Sequence, residues 1–384
     1  MSKNIAFFAD GTWNGTDPKD ENKDGIADLT SVIKMFCSLE GGQTLDTTRL
    51  QDEQELIARD AAGAVTQHAK YIHGVGDSNN PLMRLLGGVF GAGIIQRIVR
   101  GYTFISRNYQ AGDRIFITGF SRGAYTARAL GGMIAGVGLL DARKLDLTND
   151  RFDAYRYGIS AWVAYRRASG VVDLSLDALE QTEGKEIPPG AMIPDVPIDS
   201  IGVWDTVGAL GLPLYIGDRR YDLFKFTNDL LSPKVARGFH AVSIDELRGD
   251  FEPTLWKPAA NVTQVGFIGA HADVGGGYAE RGLSDIALGW MQDELGKSGL
   301  QWIPNPPYQL APHRLQGIHE PWNESIFKLG VKEPRKFQVP DAMALHETVR
   351  LRVKGLPDYR PRSLIDSGYM NANGVFSPNV RFVP

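Results

Sequence analysis

Cysteine is almost absent from this sequence of 384 residues, in which Cys37 is its one occurrence. A single cysteine excludes an internal disulfide and therefore the small secreted domains that disulfides hold together. No apolar run approaches the roughly 18 residues that a membrane-spanning helix requires. The opening residues, MSKNIAFFADGTW, also lack the apolar stretch of a secretory signal peptide. We therefore expect a protein made in the cytoplasm, with a signal-independent route of export left open.

A surplus of charge of either sign is also missing. The formal net charge is −4, the isoelectric point is near 6.0, and Lys and Arg are scattered without a basic block. This distribution gives no indication of a surface that binds nucleic acid. The length is ample for a sizeable apolar core.

Short apolar runs typical of buried strands alternate with segments at helical spacing. Strands are predicted at Asn4–Ala9, Tyr71–Ile72, Ile115–Thr118, Ile198–Trp204 and Val262–Ile268, and helices at 82–109, 124–130, 152–168, 233–247 and 283–297. This alternation favours a doubly wound, mostly parallel sheet with helices on both faces. A functional site in such a sheet lies outside the carboxyl ends of the strands.

Two long stretches lack a strand signal. Residues 141–195 are predicted to be a helical insertion followed by a Pro-rich linker, and this insertion and the C-terminal stretch are both candidates for a cap or lid over the site. Residues 300–384 are Pro-rich and irregular, with a helix or a strand at His346–Val353, and we interpret them as a C-terminal extension that packs on the core.

The segment RIFITGFSRGAYTARAL, residues 114–130, places Gly119-Phe120-Ser121-Arg122-Gly123 between a predicted strand and a predicted helix. Strand, G-x-S-x-G and helix form the context of a nucleophile elbow, in which the serine lies on a sharp turn. Gly119 and Gly123 suit that turn because bulky side chains would clash there. The chain has 44 glycines, so the bare pattern arises readily by chance and a Gly-rich turn is the alternative. The flanking elements favour Ser121 as a nucleophile.

A nucleophilic serine needs a histidine base and a carboxylate that fixes the histidine tautomer. On this kind of elbow the three follow in the order serine, acid, histidine. His271, after an apolar strand and before a glycine loop, is the preferred base, with His346 in reserve. Asp205 ends a predicted strand between serine and histidine and is the preferred acid, with Asp273 as its rival.

An oxyanion formed at the serine needs two amides directed at it. One is predicted to be the amide of Arg122, the residue after the nucleophile. The other is predicted to come from the loop after the first strand, from Gly11 or Thr12.

An acidic loop carries Asp20, Asn22, Asp24, Ile26 and Asp28, with a glycine at position 25. Oxygen-bearing residues at alternate positions resemble a calcium-binding loop of the EF-hand type. The twelfth position is Ser31 where such loops place a bidentate glutamate. A structural calcium ion and a solvated polar loop both remain open, and the predicted chemistry requires no cofactor.

A family resemblance follows from several segments taken together. In order and spacing, FFADGTWNG, YIHGVGD, GDRIFITGFSRGAYTAR, VWDTVGALG and GAHADVGGGY resemble the type VI secretion phospholipase effectors of the Tle kind and their α/β-hydrolase relatives, over about residues 3–297. The resemblance implies cleavage of acyl esters in phospholipids, with the triad at Ser121, Asp205 and His271. It also implies delivery into a rival bacterium by a secretion machine, contact with a membrane surface, and an immunity protein that protects the producer.

We therefore predict a single α/β-hydrolase domain over residues 1–384 that acts as a serine esterase of the phospholipase or lipase type. One alternative is an esterase or thioesterase for a small soluble substrate. The other is a non-catalytic interaction module on the same fold.

Overall fold

A computed structural model describes residues 2–11, 28–41, 53–74, 90–170, 174–207, 214–216, 219–221, 229–323, 331–337 and 343–384. Its strands are β1 (Asn4–Ala9), β2 (Gln54–Arg59), β3 (Val65–Ile72), β4 (Arg114–Phe120), β5 (Leu139–Leu140), β6 (Met192–Ile193), β7 (Ile198–Trp204), β8 (Leu214–Ile216), β9 (Arg219–Tyr221), β10 (Val235–Ser243), β11 (Val262–Phe267), β12 (Ala344–His346) and β13 (Phe382–Val383). Its α-helices are α1 (Ser31–Cys37), α2 (Phe90–Asn108), α3 (Arg122–Val137), α4 (Arg151–Ala168), α5 (Leu174–Glu183), α6 (His271–Gly275), α7 (Gly282–Lys297), α8 (Glu347–Gly355) and α9 (Arg362–Asp366).

The described strands build a nine-stranded sheet in the order β13-β12-β11-β10-β7-β4-β1-β3-β2. Neighbouring strands are parallel throughout, except that β2 runs antiparallel to β3 at one edge. The predicted α/β architecture with a doubly wound, mostly parallel sheet is therefore confirmed. The carboxyl ends of β1, β4, β7, β10 and β11 consequently meet at one edge of the sheet.

Apolar side chains fill both faces of this sheet. Phe8 and Trp204 belong to the core on one face, together with side chains of α1 and α7. Phe7 and Val203, one residue earlier in each strand, belong to the core on the other face with α2 and α3. Successive side chains of a strand point to opposite faces, so each strand contributes to both cores and must be apolar along its length.

Several predicted elements are confirmed, including the strands β1, β4, β7 and β11 and the helices α3, α4 and α7. The predicted long helix before the elbow is α2 within the described residues. The predicted helix at 233–247 is wrong, because this segment forms β10 between β7 and β11. A strand buried on both faces has no polar alternation, and periodicity does not separate it from a buried helix.

The segment 141–195 contains α4 and α5 and ends with β6, which pairs antiparallel with β5. Ile159 and Trp162 of α4 are completely buried in the same apolar core as α2 and α3. The described part of this insertion is thus built into the domain. Its action as a lid remains a prediction.

The segment 300–384 was expected to be irregular, but it adds β12 and β13 to the sheet edge and carries α8 and α9. The predicted helix or strand at His346–Val353 is a helix, α8, and His346 ends β12 and caps that helix. Strands as short as these leave too few residues for an alternating pattern, so the sequence did not indicate them.

Truncation of a buried aromatic side chain in α4 tests whether the insertion shares the core. We expect Trp162→Ala to lower the free energy of unfolding by about 3–5 kcal/mol, because it leaves a large cavity. Phe152→Ala on the same helix is the matched control, since Phe152 is 74% exposed; it should change stability by no more than about 0.5 kcal/mol. Chemical denaturation followed by tryptophan fluorescence and circular dichroism measures both. Equal stabilities would mean that α4 is not part of the cooperative core.

Candidate active site

The residues singled out from the sequence follow the carboxyl ends of parallel strands. Ser121 follows β4, Asp205 follows β7, and His271 begins α6 after β11. Gly11 lies two residues beyond the end of β1. Sheet topology alone therefore brings the four positions to one edge, where open α/β sheets bind their ligands.

The turn at Ser121 is strained. Its backbone lies at φ 58° and ψ −122°, a region that residues with side chains seldom adopt. A Cβ atom on Gly119 would lie 2.3 Å from the Gly123 carbonyl oxygen, and one on Gly123 would lie 2.1 Å from that of Ala9. Glycine is thus required at both positions for α3 to begin this close to the strand ends. The amide of Ser121 donates to the carbonyl of Trp204 at 3.1 Å, which ties the turn to the residue before Asp205.

His271 and Asp205 form a hydrogen-bonded pair. Nδ1 of His271 donates to Oδ2 of Asp205 at 2.5 Å, and the backbone amide of His271 donates to Oε2 of Glu246 at 3.1 Å. The imidazole contacts the ring of Phe120 in a tilted arrangement and that of Phe251 edge-on, at centroid distances of 4.6 and 5.0 Å. These contacts fix the ring, and its neutral form with the proton on Nδ1 presents Nε2 as a proton acceptor.

Phe120 lies next to both Ser121 and His271. Its ring contacts that of His271 in a tilted arrangement, and its backbone continues directly into Ser121. Both side chains are nearly buried, with 7% of Ser121 and 6% of His271 exposed. Among the hydrogen bonds of the described residues, none joins the Ser121 hydroxyl to the imidazole.

Arg335 is a residue of this site that sequence reasoning missed. Its Nη1 and Nη2 donate to Oδ1 and Oδ2 of Asp205 at 2.6 and 2.9 Å, and the amide of Ser243 donates to Oδ1 at 2.9 Å. Asp205 is fully buried and Arg335 is 3% exposed. Arg335 lies in an irregular segment 130 residues after its partner. No local pattern in the sequence marks such a pairing.

The two charges set the protonation state of the pair. Burial disfavours an ionised carboxylate, yet Arg335 and His271 together hold the pKa of Asp205 well below its usual range. Burial lowers the pKa of His271, and the adjacent carboxylate of Asp205 opposes this effect. At neutral pH the pair therefore consists of an anionic carboxylate and a neutral imidazole.

The predicted oxyanion donors have different surroundings. A Cβ atom on Gly11 would lie 3.3 Å from Cβ of Ser121, so Gly11 is beside the candidate nucleophile. Its amide, however, donates to Oδ1 of Asp10 at 2.7 Å. Arg122 lies in the first turn of α3, where amides point out of the helix end. Thr12 lies outside the described residues, and the oxyanion assignment remains a prediction.

Asp10, next to Gly11, is a second buried carboxyl group at this edge. It accepts hydrogen bonds from the hydroxyls of Thr30 and Tyr71 at 2.8 and 2.5 Å, in addition to the Gly11 amide. Burial raises the pKa of Asp10, and these donors oppose the rise. Asp10 therefore braces the end of β1 against α1 and β3.

The reserve candidates have other partners. Nδ1 of His346 lies 2.7 Å from the hydroxyl of Thr348, and burial lowers the pKa of His346 to about 4. Asp273 accepts from Nδ1 of His319 at 2.6 Å and from the amide of Ala270 at 2.9 Å. His346 therefore does not replace His271 as the partner of Asp205, and Asp273 does not replace Asp205 as the partner of His271.

His240, in the segment 233–247 that was predicted to be a helix, lies on β10. It is completely buried, and its Nε2 accepts from the amide of Thr206 at 3.1 Å. Burial lowers the pKa of His240 to about 3. This ring therefore supports the loop after β7 in its neutral form.

Most of the predicted calcium loop lies outside the residues that the structure describes. Asp20, Asn22, Asp24 and Ile26 lie outside the described residues, and Asp28 is half-buried at the start of the next described segment. Within the part of the chain that is described, no group of three or more His, Cys, Asp or Glu side chains could hold a metal ion.

The described helices also include none that is long and apolar enough to cross a bilayer.

Comparison with known families and proteins gives three kinds of match. Residues 3–294 match the family model of the T6SS phospholipase effector Tle1-like catalytic domain. An uncharacterized protein of Saccharomyces cerevisiae is 26% identical over 266 residues, which cover 68% of this chain and 34% of that protein. This chain thus spans about a third of the length of the yeast relative.

Two solved structures are also similar. An uncharacterized protein from Pseudomonas aeruginosa is 17% identical with a TM-score of 0.43, over 80% of this chain and 48% of that one. The Tle1 effector bound to the VgrG spike from the type 6 secretion system is 17% identical with a TM-score of 0.36, over 72% of this chain and 51% of that one. The chain spans about half the length of either structure.

An added methyl group at the elbow tests the close approach of α3 to β1. We expect Gly123→Ala to lower the free energy of unfolding by about 3 kcal/mol or more, because the clash is with rigid backbone. Gly317→Ala is the control, since no atom lies within 4 Å of the Cβ it would add; its effect should stay within about 0.5 kcal/mol. Thermal and urea denaturation measure both. A Gly123→Ala protein as stable as the control would contradict the tight turn.

Proposed function

The chain belongs to the Tle1-like family of type VI secretion phospholipase effectors, and on this basis we propose that it hydrolyses carboxylic esters of phospholipids through an acyl-enzyme intermediate on Ser121. The observation that carries the proposal is the buried His271–Asp205 hydrogen bond of 2.5 Å beside the strained turn at Ser121. A serine on an elbow, a neutral imidazole and an anionic carboxylate are the components of a charge-stabilised proton relay.

In the proposed reaction, Oγ of Ser121 attacks the ester carbonyl while Nε2 of His271 accepts its proton. The negative charge that forms on the carbonyl oxygen is stabilised by the amide of Arg122 and by a second amide, from Thr12 or from Gly11, whose amide would first have to leave Oδ1 of Asp10. The tetrahedral intermediate then collapses. The alcohol leaves with the proton from His271, and the acyl group stays on Ser121.

Deacylation repeats these steps with water. Nε2 of His271 takes a proton from the water molecule, whose oxygen attacks the acyl carbon, and the carboxylic acid is released as Ser121 recovers its proton. Asp205 stabilises the imidazolium in both halves of the cycle without taking a proton itself. No metal ion or organic cofactor takes part in this scheme.

Substrate binding completes the relay in this proposal. Catalytic hydrogen bonds are often long or poorly aligned until the substrate is bound. Phe120 precedes Ser121 in the chain and its ring contacts the imidazole, so the two groups lie in one neighbourhood, and we propose that bound substrate brings Oγ into line with Nε2.

Family membership supports the further assignments. We propose that a secretion spike delivers the protein, because the Tle1 effector of the solved structure is bound to a VgrG spike. The target would be the lipid of a rival cell, reached at the membrane surface, and an immunity protein would protect the producer. The alternative of a small soluble ester or thioester predicts no preference for lipid aggregates.

Removal of the nucleophile tests the enzyme assignment. We expect Ser121→Ala to lower kcat for phospholipid vesicles and for p-nitrophenyl esters by roughly 10⁴-fold or more, with an unchanged circular dichroism spectrum. Ser284→Ala is the matched control, because Ser284 is also buried but lies on α7, where its hydroxyl donates to the backbone of Arg281. It should keep wild-type activity.

Three outcomes separate the alternatives. Hydrolysis of vesicles above that of monomeric esters supports a lipase, whereas hydrolysis of soluble esters or thioesters alone supports the small-substrate alternative. Failure of a fluorophosphonate probe to label Ser121 in the folded wild type, with no hydrolysis, would leave the non-catalytic module.

The pH dependence tests His271 as the base. His271 must be neutral to accept a proton, and burial lowers its pKa below the ordinary value of 6.5. We therefore expect the acid limb of kcat/KM for a soluble ester to have its midpoint below pH 6.5. An acid limb with its midpoint above pH 7 would contradict a base with a lowered pKa.

A further inference from the structure

Asp205 forms a buried ion pair with Arg335, a residue outside the part of the chain that the family model matches. That match ends at residue 294, and the partner of the candidate catalytic acid comes from the segment 331–337. The two guanidinium nitrogens contact the two carboxylate oxygens at 2.6 and 2.9 Å. A bidentate contact of this kind fixes the orientation of the guanidinium and of the carboxylate.

We propose that Arg335 is a positioning residue, which holds Asp205 as an oriented anion against the His271 ring. Its effect on the reaction rests on the proposed function. Its effect on the His271–Asp205 pair does not, because that pair exists whatever the protein hydrolyses.

The geometry leaves the carboxylate of Asp205 no freedom to turn. Oδ1 accepts from Nη1 of Arg335 and from the amide of Ser243, and Oδ2 accepts from Nη2 of Arg335 and from Nδ1 of His271. Two donors at each oxygen use the acceptor capacity of the group. Rotation of the carboxylate would break at least two of these bonds, so the direction of Nδ1–H, and with it that of Nε2, is fixed.

Arg335 is itself held in place by the loop after β10. Its nitrogens also donate to the carbonyls of Ser243 and Phe251 at 2.8 and 2.6 Å. The segment 331–337 is bound to the same loop through its backbone: the amide of Glu333 donates to the Leu247 carbonyl, and that of Gly249 to the Val331 carbonyl, at 2.9 and 3.1 Å. The guanidinium therefore has one position available, directed at Asp205.

The charge of Arg335 acts on the protonation of the pair. A neutral imidazole with an anionic carboxylate carries −1, which the buried guanidinium balances. Adding a proton to the pair leaves the guanidinium without a counter-charge, so Arg335 opposes protonation, and its loss should raise the pKa of the pair.

Glu246 and Arg248 are further charged groups that act on the imidazole. Glu246 accepts from the His271 amide and is paired with Arg248 at 2.7 Å, and both residues belong to the loop after β10. His240, on β10, is buried with a lowered pKa and is neutral at pH 7. Among the residues that the structure describes, Arg335 is the cation that hydrogen-bonds to the Asp205 carboxylate.

The test is a titration of His271 by NMR in protein labelled with ¹³C-histidine, with His271→Asn used to assign the signal. Arg335→Met and Arg335→Gln remove the charge, and we expect each to raise the pKa of His271 by about one unit or more, a tenfold change in proton affinity. Arg352→Met is the matched control. Arg352 is also buried and donates to backbone carbonyls in the C-terminal segment, at positions 314 and 316, and its loss should leave the titration unchanged.

Arg335→Lys separates charge from geometry. A lysine keeps the cation but cannot contact both oxygens, so the pKa of His271 should stay near that of the wild type. We expect kcat for a soluble ester to fall roughly tenfold with little change in KM, since orientation is lost and binding is not. The neutral variants should instead move the acid limb of kcat/KM to higher pH.

Each outcome decides one point. A neutral variant that folds and leaves the His271 titration unchanged overturns the proposal. If neither neutral variant folds, the Arg335→Lys protein provides the test. A kcat of Arg335→Lys equal to that of the wild type then overturns the positioning role. A wild-type protein that hydrolyses no ester refutes the proposed function alone, because the NMR titration needs no activity.

Discussion

The close approach of α3 to the ends of β1 and β4 is the constraint on which the site depends. Gly119 and Gly123 are the points of contact, where a single Cβ atom would meet backbone at 2.3 and 2.1 Å. This approach forces Ser121 into a strained conformation and places its amide on the carbonyl of Trp204. The elbow and the loop that begins with Asp205 are therefore positioned as one unit, and the energy of packing along the sheet maintains the strain.

Asp10 and Asp205 are two buried carboxyl groups at the same edge of the sheet, and their different neighbours give them different roles. Asp10 is surrounded by the neutral donors Thr30, Tyr71 and Gly11, and burial raises its pKa. Asp205 is equally buried, but Arg335 keeps its pKa low. The first carboxyl group suits a structural brace, whereas the second carries the permanent negative charge that an imidazolium requires.

Local signals in the sequence account for most of what could be predicted. The elbow shows in a short motif, and both Asp205 and His271 follow apolar strands, so topology alone brings them to the same edge. Arg335 has no comparable signal, since an arginine in an irregular segment is ordinarily on the surface and its pairing exists only in the folded chain. The segment 233–247 was predicted as a helix because β10, covered on both sides, lacks the alternation that identifies a strand. The direction of the Gly11 amide was equally hidden, because it depends on the conformation of Asp10.

The position of Arg335 in the chain has a consequence for the order of biosynthesis. Ribosomes extend a protein from its amino terminus, so the carboxylate of Asp205 is made 130 residues before its counter-ion. A lone negative charge is strongly disfavoured in an apolar interior. In a nascent chain that ends before residue 335, the Asp205 carboxylate therefore cannot take up its buried native position. The Asp205–His271 pair forms only after residue 335 has emerged from the ribosome.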